Sequence, residues 1–398
     1  MPWKETNSMQ ERIKFVILVQ EKKTSMSLLC QLFGISRETG YKWLHRFEAQ
    51  GPDGLKDLSR KPHTNSCATK QVMIDAALAL RRQYPLWGPK KLVVLLKEQM
   101  PNAEIPSAST LGDILEKNGL VKKRMRKRVR LSQENPSISA SASNDVWFTD
   151  FKGHFRVGSG ERCHPLTLSD AYSRFLLCCD SLTDESIIST RSMFEKAFNL
   201  YGLPKIILSD NGSPFSSRAP GGLTKLSAWW VKLGITPMHI QPGHPEQNGK
   251  HERMHRTLKA ATARPPAATL KSQQITFDAF KEEYNYVRPH EAIGQKRPAD
   301  LYRASLNNFS DSHASLSYPG HMEVRNIKHS GDMRWKNKEI YLSSVLIGES
   351  VGLEEIGDDT MLIYFGHLPI AILQEKKWSI VKLPSPIKPI RLSTMFPV

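Results

Sequence analysis

The order of apolar and polar positions divides the chain into three regions of different character. In the first 130 residues the apolar positions recur at helical spacing between turn signals. Ile13, Val16 and Val19 predict an opening amphipathic helix. Leu29 and Leu32 mark a short second helix, Gly34 a turn, and Ser36 the N-cap of a third helix whose apolar face is Trp43, Leu44 and Phe47. Arg37, Lys42 and Arg46 are left for its outer face. This pattern fits a helix-turn-helix, whose second helix enters the DNA major groove, as well as an ordinary helical hairpin. A second unit follows: a helix over about 70–84, a turn holding Pro85, Trp87, Gly88 and Pro89, a helix with Leu92, Leu95 and Leu96, and another with Leu111, Ile114 and Leu115.

From residue 146 the pattern turns to short apolar runs. Val146-Trp-Phe-Thr-Asp-Phe, Pro165-Leu-Thr-Leu-Ser and Phe175-Leu-Leu-Cys-Cys predict three strands. A helix over about 184–200, a strand at 205–209, a helix at 223–233, a strand at 235–240 and a helix from about 248 follow. The order is that of a mixed α/β domain. Beyond about residue 320, short strands with Gly and Asp turns predict a small β-barrel. The expected organisation is a helix-turn-helix domain at 1–62, a second one with a basic arm at 63–130, a linker at 131–145, the α/β core at 146–302, and a β-barrel with a tail at 303–398.

Charge sharpens this division. The chain has 398 residues and a net charge of +17. Residues 1–130 hold 25 basic and 12 acidic side chains, against 31 and 27 in the rest, so the excess sits at the front. Seven of the ten residues from Val121 to Arg130 are basic: Lys122, Lys123, Arg124, Arg126, Lys127, Arg128 and Arg130. Behind a helix-turn-helix, such a run reads as a phosphate-contacting arm. No apolar run approaches the ~18 residues of a membrane span, and the polar N-terminus lacks a signal core. The five cysteines show no Cys-x-x-Cys spacing, which disfavours a disulfide scaffold or zinc ribbon and fits a reducing cytosol.

Three acids stand where chemistry is expected. Asp150 interrupts an apolar strand, Asp210 ends one before Asn211-Gly212, and Glu252 lies one turn into a helix. Strand ends of an open α/β sheet converge on one crevice. Carboxylates gathered there need cations, and Mg²⁺ takes hard oxygen ligands while keeping room for phosphate oxygens. Paired Mg²⁺ ions can clamp both oxygens of an in-line phosphoryl displacement, so a basic chain with this triad points to cutting or joining of nucleic-acid strands.

At these residues the chain resembles a known superfamily. Trp147-Phe-Thr-Asp-Phe-Lys, Leu168-Ser-Asp-Ala-Tyr-Ser-Arg, Leu208-Ser-Asp-Asn-Gly-Ser-Pro-Phe and Gly243-His-Pro-Glu-Gln-Asn-Gly-Lys-His-Glu-Arg look like the integrase core of bacterial insertion-sequence transposases. That core is shared with retroviral integrases and has an RNase H-like fold. Asn285, Arg288-Pro-His290 and Gly294 resemble the segment that follows it. The resemblance implies that Asp150, Asp210 and Glu252 are the catalytic triad, holding two Mg²⁺ ions with Mn²⁺ as a substitute. Asp150 would bridge both ions. It also suggests that Gln247 and Asn248 position DNA. Two departures stand out: the 41 residues between Asp210 and Glu252 exceed the family's usual spacing, with Ser216–Gly222 as the extra loop, and Glu246 replaces a neutral residue. The implied activity is a DNA transposase that binds terminal inverted repeats, frees 3′-hydroxyl ends and joins them to target DNA. The implied setting is the bacterial cytoplasm, at the nucleoid, with double-stranded DNA as partner and a homo-oligomer because two ends must be joined. An RNase H-type nuclease without joining, or a DNA-binding regulator with an inactive core, are the alternatives.

A second motif overlaps the triad. His251-Glu-Arg-Met-His255 spells His-Glu-x-x-His, which on a helix can bind zinc. The cationic neighbours Lys250, Arg253 and Arg256 disfavour zinc, and Asp150 and Asp210 would be left unexplained. Packing, or phosphate contact along a basic helix with Lys250, Arg253, Arg256 and Lys259, is the expected role of these histidines. His239 and His244 are assigned none, and Trp229 and Trp230 are expected in the core or an interface.

Overall fold

The structure, a computed structural model, describes residues 7–58, 69–121, 140–241, 249–310 and 316–383. It forms two compact units, Met1–Thr69 and Lys70–Val398.

In the first unit, α1 (Ser8–Gln20), α2 (Met26–Leu32) and α3 (Arg37–Gln50) enclose Phe15, Val16, Leu29, Cys30 and Leu55. The Ser36 hydroxyl accepts the Thr39 N–H at 3.1 Å and starts α3 where the sequence places the cap. Gly34, at φ +64°, makes the turn between α2 and α3.

The second unit opens with α4 (Gln71–Gln83), α5 (Pro89–Gln99) and α6 (Ala108–Lys117), packed around Ala77, Trp87, Leu92, Leu96 and Leu111. Ser107 caps α6 through the Thr110 N–H at 3.2 Å. This bundle is fastened to the α/β core. Trp87 Nε1–H donates to Glu283 Oε1 at 3.0 Å, Arg297 pairs with Glu98 at 2.6 Å, and Lys90 pairs with Glu291.

The core sheet contains β1 (Val146–Phe151), β2 (Phe155–Arg156), β3 (Arg162–Asp170), β4 (Leu176–Leu182), β5 (Ile206–Ser209) and β6 (Thr236–His239). β1 sits at the centre. It pairs antiparallel with β3, which pairs antiparallel with β4, and parallel with β5, which pairs parallel with β6. Helices α7 (Ile187–Tyr201) and α8 (Lys225–Lys232) bury Trp147, Ile207, Phe194, Phe198 and Trp230 against one face. On the other side, α9 (Gly249–Thr262) and α10 (Leu270–Glu282) close over Cys163, Leu176 and Cys179 with Met254, Leu258, Phe277 and Phe280. Asn285 follows α10 and grips the strand β4 through both amide atoms, accepting the Leu176 N–H at 2.8 Å and donating to the Leu176 carbonyl at 2.9 Å.

The C-terminal region differs from the expected barrel. β7 (Glu323–Asn326), β10 (Ser350–Gly357), β11 (Thr360–Phe365), β12 (Leu368–Gln374) and β13 (Ser379–Lys382) form an antiparallel sheet in the order 7-10-11-12-13. Among the described residues no ladder joins β13 back to β7, so the sheet stays open. β8 (Asp332–Trp335) and β9 (Lys338–Tyr341) form a separate hairpin, with one bridge between Ile327 and Met333. Alternating burial along β11 requires one covered face and does not require closure. The cover is supplied by Trp335 and Ile340 from the hairpin and by Ala228 and Val231 from α8. The loop Ser216–Gly222 docks on this sheet, where the Gly221 N–H donates to the Leu383 carbonyl at 3.0 Å. Gly221 has φ +65°, and a Cβ there would lie 2.9 Å from Ile370 Cγ2, so no larger residue fits without a shift.

Among the described residues no helix is long and apolar enough to cross a membrane. Cys30, Cys163, Cys178 and Cys179 are buried free thiols.

Candidate functional site

Register brings two of the predicted acids together. Parallel β1 and β5 are aligned Val146 to Ile206, Trp147 to Ile207 and Phe148 to Leu208. Asp150 follows two residues later within β1 and Asp210 is the residue after β5, and the like charge of Asp210 acts on Asp150. Neighbouring strands lie ~4.8 Å apart. Antiparallel β3 sets Thr167 opposite Asp150 on the other side.

Helix α9 crosses this face. His251, Met254, His255 and Leu258 point inward and are buried, while Glu252, Arg253, Arg256 and Lys259 are exposed. Asp150, Lys152, Glu252, Arg253, His255, Arg256 and Lys259 line an open cleft of about 530 Å³. Glu252 therefore faces the same cleft as Asp150. Among the described residues no three carboxylate, imidazole or thiol groups are already drawn into a metal-ligand cluster. The donor set itself is one of hard carboxylate oxygens, which suits Mg²⁺.

The electrostatics mark Asp150 as the focus. Burial, then the like charge of Asp210 and, more weakly, that of Glu252, push its carboxyl up to about 7, with Lys152 pulling the other way. Burial also raises Asp210, opposed by the Gly212 N–H on its Oδ1 at 3.1 Å and reinforced by Glu185. The Glu185 influence was not visible in the sequence. Its Oε1 lies 2.9 Å from His164 Nδ1. Closely spaced acids with raised pKa values are short of positive charge, which a divalent cation would supply.

The His-Glu-x-x-His pair faces the protein interior. His251 Nε2 and His255 Nε2 lie 2.7 and 2.5 Å from the single hydroxyl of Thr167, and His251 Nδ1 lies 2.8 Å from Ser169 Oγ. Both rings are buried, and burial depresses both imidazoles far below the usual range, His251 to about 3. His255 Nδ1 is 3.5 Å from Asp150 Oδ2. Thr167 has one proton to share, and the Asp150 carbonyl, 3.1 Å away, is its third neighbour. If that carbonyl takes the proton, both imidazoles donate through Nε2 and His255 turns a lone pair to Asp150. An ionised Asp150 disfavours that arrangement. Turning the hydroxyl to His255 Nε2 moves the ring proton to Nδ1, facing the carboxylate.

The predicted DNA contacts divide. Arg37 and Lys42 are exposed on α3. Arg46 is half-buried: its guanidinium lies 4.7 Å from the Trp43 ring centre and donates to the Lys56 carbonyl at 2.8 Å, so it holds the first unit together. Arg253 and Lys259 are exposed on α9. Lys122, Lys123, Arg124, Arg126, Lys127, Arg128, Arg130, Gln247 and Asn248, the side chain of Lys250, and Glu246 lie outside the described residues.

Comparison with known proteins agrees with this architecture. Residues 140–245 and 233–298 match two family profiles, both described as integrase core domain. Residues 11–63 match a helix-turn-helix domain, and residues 39–115 a homeodomain-like domain. Residues 140–298 thus match integrase core domains, and the residues before them match helix-turn-helix and homeodomain-like domains. It is similar to an insertion element IS407 uncharacterized 31.7 kDa protein of Burkholderia multivorans, 26% identical over 68% of this chain and 88% of that protein. It is similar to an insertion element IS476 uncharacterized 39.2 kDa protein of Xanthomonas euvesicatoria, 25% identical over 60% of this chain and 67% of that one. A Gag-Pol polyprotein of baboon endogenous virus is 28% identical over 46% of this chain and 10% of its own length. A solved structure of the HTLV-2 integrase catalytic core domain in complex with magnesium aligns with 17% identity and a TM-score of 0.33, covering 42% of this chain and all of that one.

Proposed function

We propose that this protein is a DNA transposase that binds the terminal inverted repeats of its element, cleaves to free 3′-hydroxyl ends and joins them to target DNA. The observation that carries this reading is the cleft lined by both Asp150 and Glu252, with Asp210 directly after β5, the parallel neighbour of β1, and its charge felt at Asp150. The integrase-core and helix-turn-helix matches support the same chemistry and the same substrate.

In this reading Asp150, Asp210 and Glu252 hold two Mg²⁺ ions. When bound, these supply Lewis-acid stabilisation to the attacking and leaving oxygens of phosphoryl transfer. The remaining work falls to the chain. Lys152, Arg253, Arg256 and Lys259 bind the strand's phosphates along the cleft, and Arg253 and Lys259 flank the scissile region from α9. Ser169, Thr167 and the two buried histidines fix Asp150 from behind. Arg37 and Lys42 on α3, with the basic arm from Lys122 to Arg130, bind the element ends. Joining two ends to one target requires a homo-oligomer working at the bacterial nucleoid.

The test is a Mg²⁺-dependent assay with labelled duplexes carrying the DNA that flanks the gene. Cleavage followed by joining is the expected result. Cleavage without joining identifies a nuclease, and binding without cleavage identifies a regulator.

A further inference from the structure

The Arg288-Pro-His290 motif has no role in the site described so far. It lines a cavity of about 210 Å³ together with Lys91 from α5, Arg174 from the β3–β4 turn, and Arg253 and Tyr284. Four cations from four separate parts of the chain converge here. Among the described residues none of Lys91, Arg174, Arg253 or Arg288 forms an ion pair. Glu291 also lines the cavity and attracts Lys91, but its carboxylate is paired with Lys90; Lys91 itself donates to the Pro289 carbonyl, and Glu283 accepts the Trp87 indole N–H. Asp170 is buried beneath the turn and takes hydrogen bonds from Ser173 and the Asn144 N–H.

The cations also repel one another. Arg174 sits in the turn at φ +69°. Its Nε is buried with no hydrogen-bond partner. Burial, and the repulsion of Arg288, lower the Lys91 ammonium to about 8. Burial also lowers Arg174 and Arg288, and Arg253 adds to the repulsion felt by Arg174. Gathered, half-buried positive charges of this kind call for an anion, and a guanidinium pair suits the oxygens of a phosphate.

We propose that this cavity is the seat of one backbone phosphate of a DNA strand. Arg253 supports the choice of DNA over a free anion, because it lines both this cavity and the acidic cleft. A strand whose phosphate sits here continues past Arg253 along α9 to Arg256, Lys259 and Asp150. The seat is complete only when α5 is docked, so it couples the helical bundle of residues 70–120 to the core. The proposal rests on the assignment of DNA as substrate, but not on cleavage.

The experiment uses the full chain with Asp150→Asn as background, so that no cutting intrudes. Binding of a fluorescent duplex is followed by anisotropy across a salt series, for Lys91→Gln, Arg253→Gln, Arg288→Gln and the triple variant. Arg253 also serves the cleft, so Lys91→Gln and Arg288→Gln carry the test, and Lys91→Arg, which keeps the charge and is expected to keep the slope, separates loss of charge from loss of fold. Each phosphate seat contributes a slope of ~0.9 in log K against log salt, so each single variant loses about one unit of slope or less and binds roughly fivefold weaker. The triple variant loses about one unit in total, because the cations share one phosphate. A loss near three units would show independent surface contacts and overturn the proposal, as would unchanged slopes. Inorganic phosphate is the second probe. If it raises the melting temperature at matched ionic strength while the DNA slopes stay unchanged, the cavity is a small-anion site and the DNA assignment is wrong. If the background protein fails to bind any duplex, the transposase reading falls with it.

Discussion

Replacing Thr167 by Val tests the buried network behind Asp150. The two side chains have nearly the same shape, so packing is kept and only the hydroxyl is lost. Thr167 is fully buried, with His251 Nε2 at 2.7 Å, His255 Nε2 at 2.5 Å and the Asp150 carbonyl at 3.1 Å. Valine leaves the two imidazole nitrogens without partners. A hydrogen bond is worth ~1 kcal/mol net, and a buried polar group stranded by its loss costs ~1–3 kcal/mol. The expected destabilisation is therefore about 2–6 kcal/mol, from two stranded nitrogens at ~1–3 kcal/mol each. Thr167→Ser keeps the hydroxyl and removes one methyl, at a cost of about 1 kcal/mol. Urea unfolding of both variants, with amide hydrogen exchange across residues 166–170, reads the difference. A valine variant as stable as wild type, or less damaging than serine, would refute the network.

The buried histidines set the response to acid. Burial holds His239 at about 4, and His251 and His290 at about 3, against 6.5 in the unfolded chain. Above pH 6.5 both states are neutral and stability is unaffected. Below it the unfolded chain takes up protons the folded histidines refuse, which lowers stability by ~1.4 kcal/mol per pH unit for each of them down to its folded value, while Asp150, held at about 7, takes up its proton first in the fold and offsets one of the three between about pH 7 and 4. Denaturant midpoints at pH 7.5, 6 and 5 check this, and equal midpoints would contradict it. On α3, Arg37→Ala weakens duplex binding at unchanged melting temperature, whereas Arg46→Ala lowers the melting temperature of the first unit by removing its bond to the Lys56 carbonyl and its contact with Trp43. Anisotropy and circular dichroism on the same two proteins separate these effects.

Much of this architecture was legible in the sequence because it is local. Ser36 announces its helix, and the apolar runs around Trp147, Leu168 and Ile207 announce their strands. Asp150 and Asp210 stood out because they break or end such runs. What lies between distant segments was not legible. The shared register of β1 and β5 depends on pairing across sixty residues. For the histidines of α9 the sequence leaves packing and phosphate contact open, and their three-to-four spacing with Met254 and Leu258 turns them inward. Arg46 looked free until the residues after α3 folded back on it. Among the described residues no ladder closes a barrel; alternation reports only a buried face, and that face is covered by a hairpin and α8. The cation cavity joins Lys91 to Arg288 and has no local signature.

The central claim is metal-dependent strand transfer at Asp150, Asp210 and Glu252. Its most direct test compares wild type with Asp150→Asn on a duplex bearing the element end, with and without Mg²⁺, following both cleavage and joining on a sequencing gel. The account predicts that wild type cuts and joins only with Mg²⁺, and that Asp150→Asn binds the same end with equal affinity but does neither. An Asp150→Asn protein that still cleaves would contradict it.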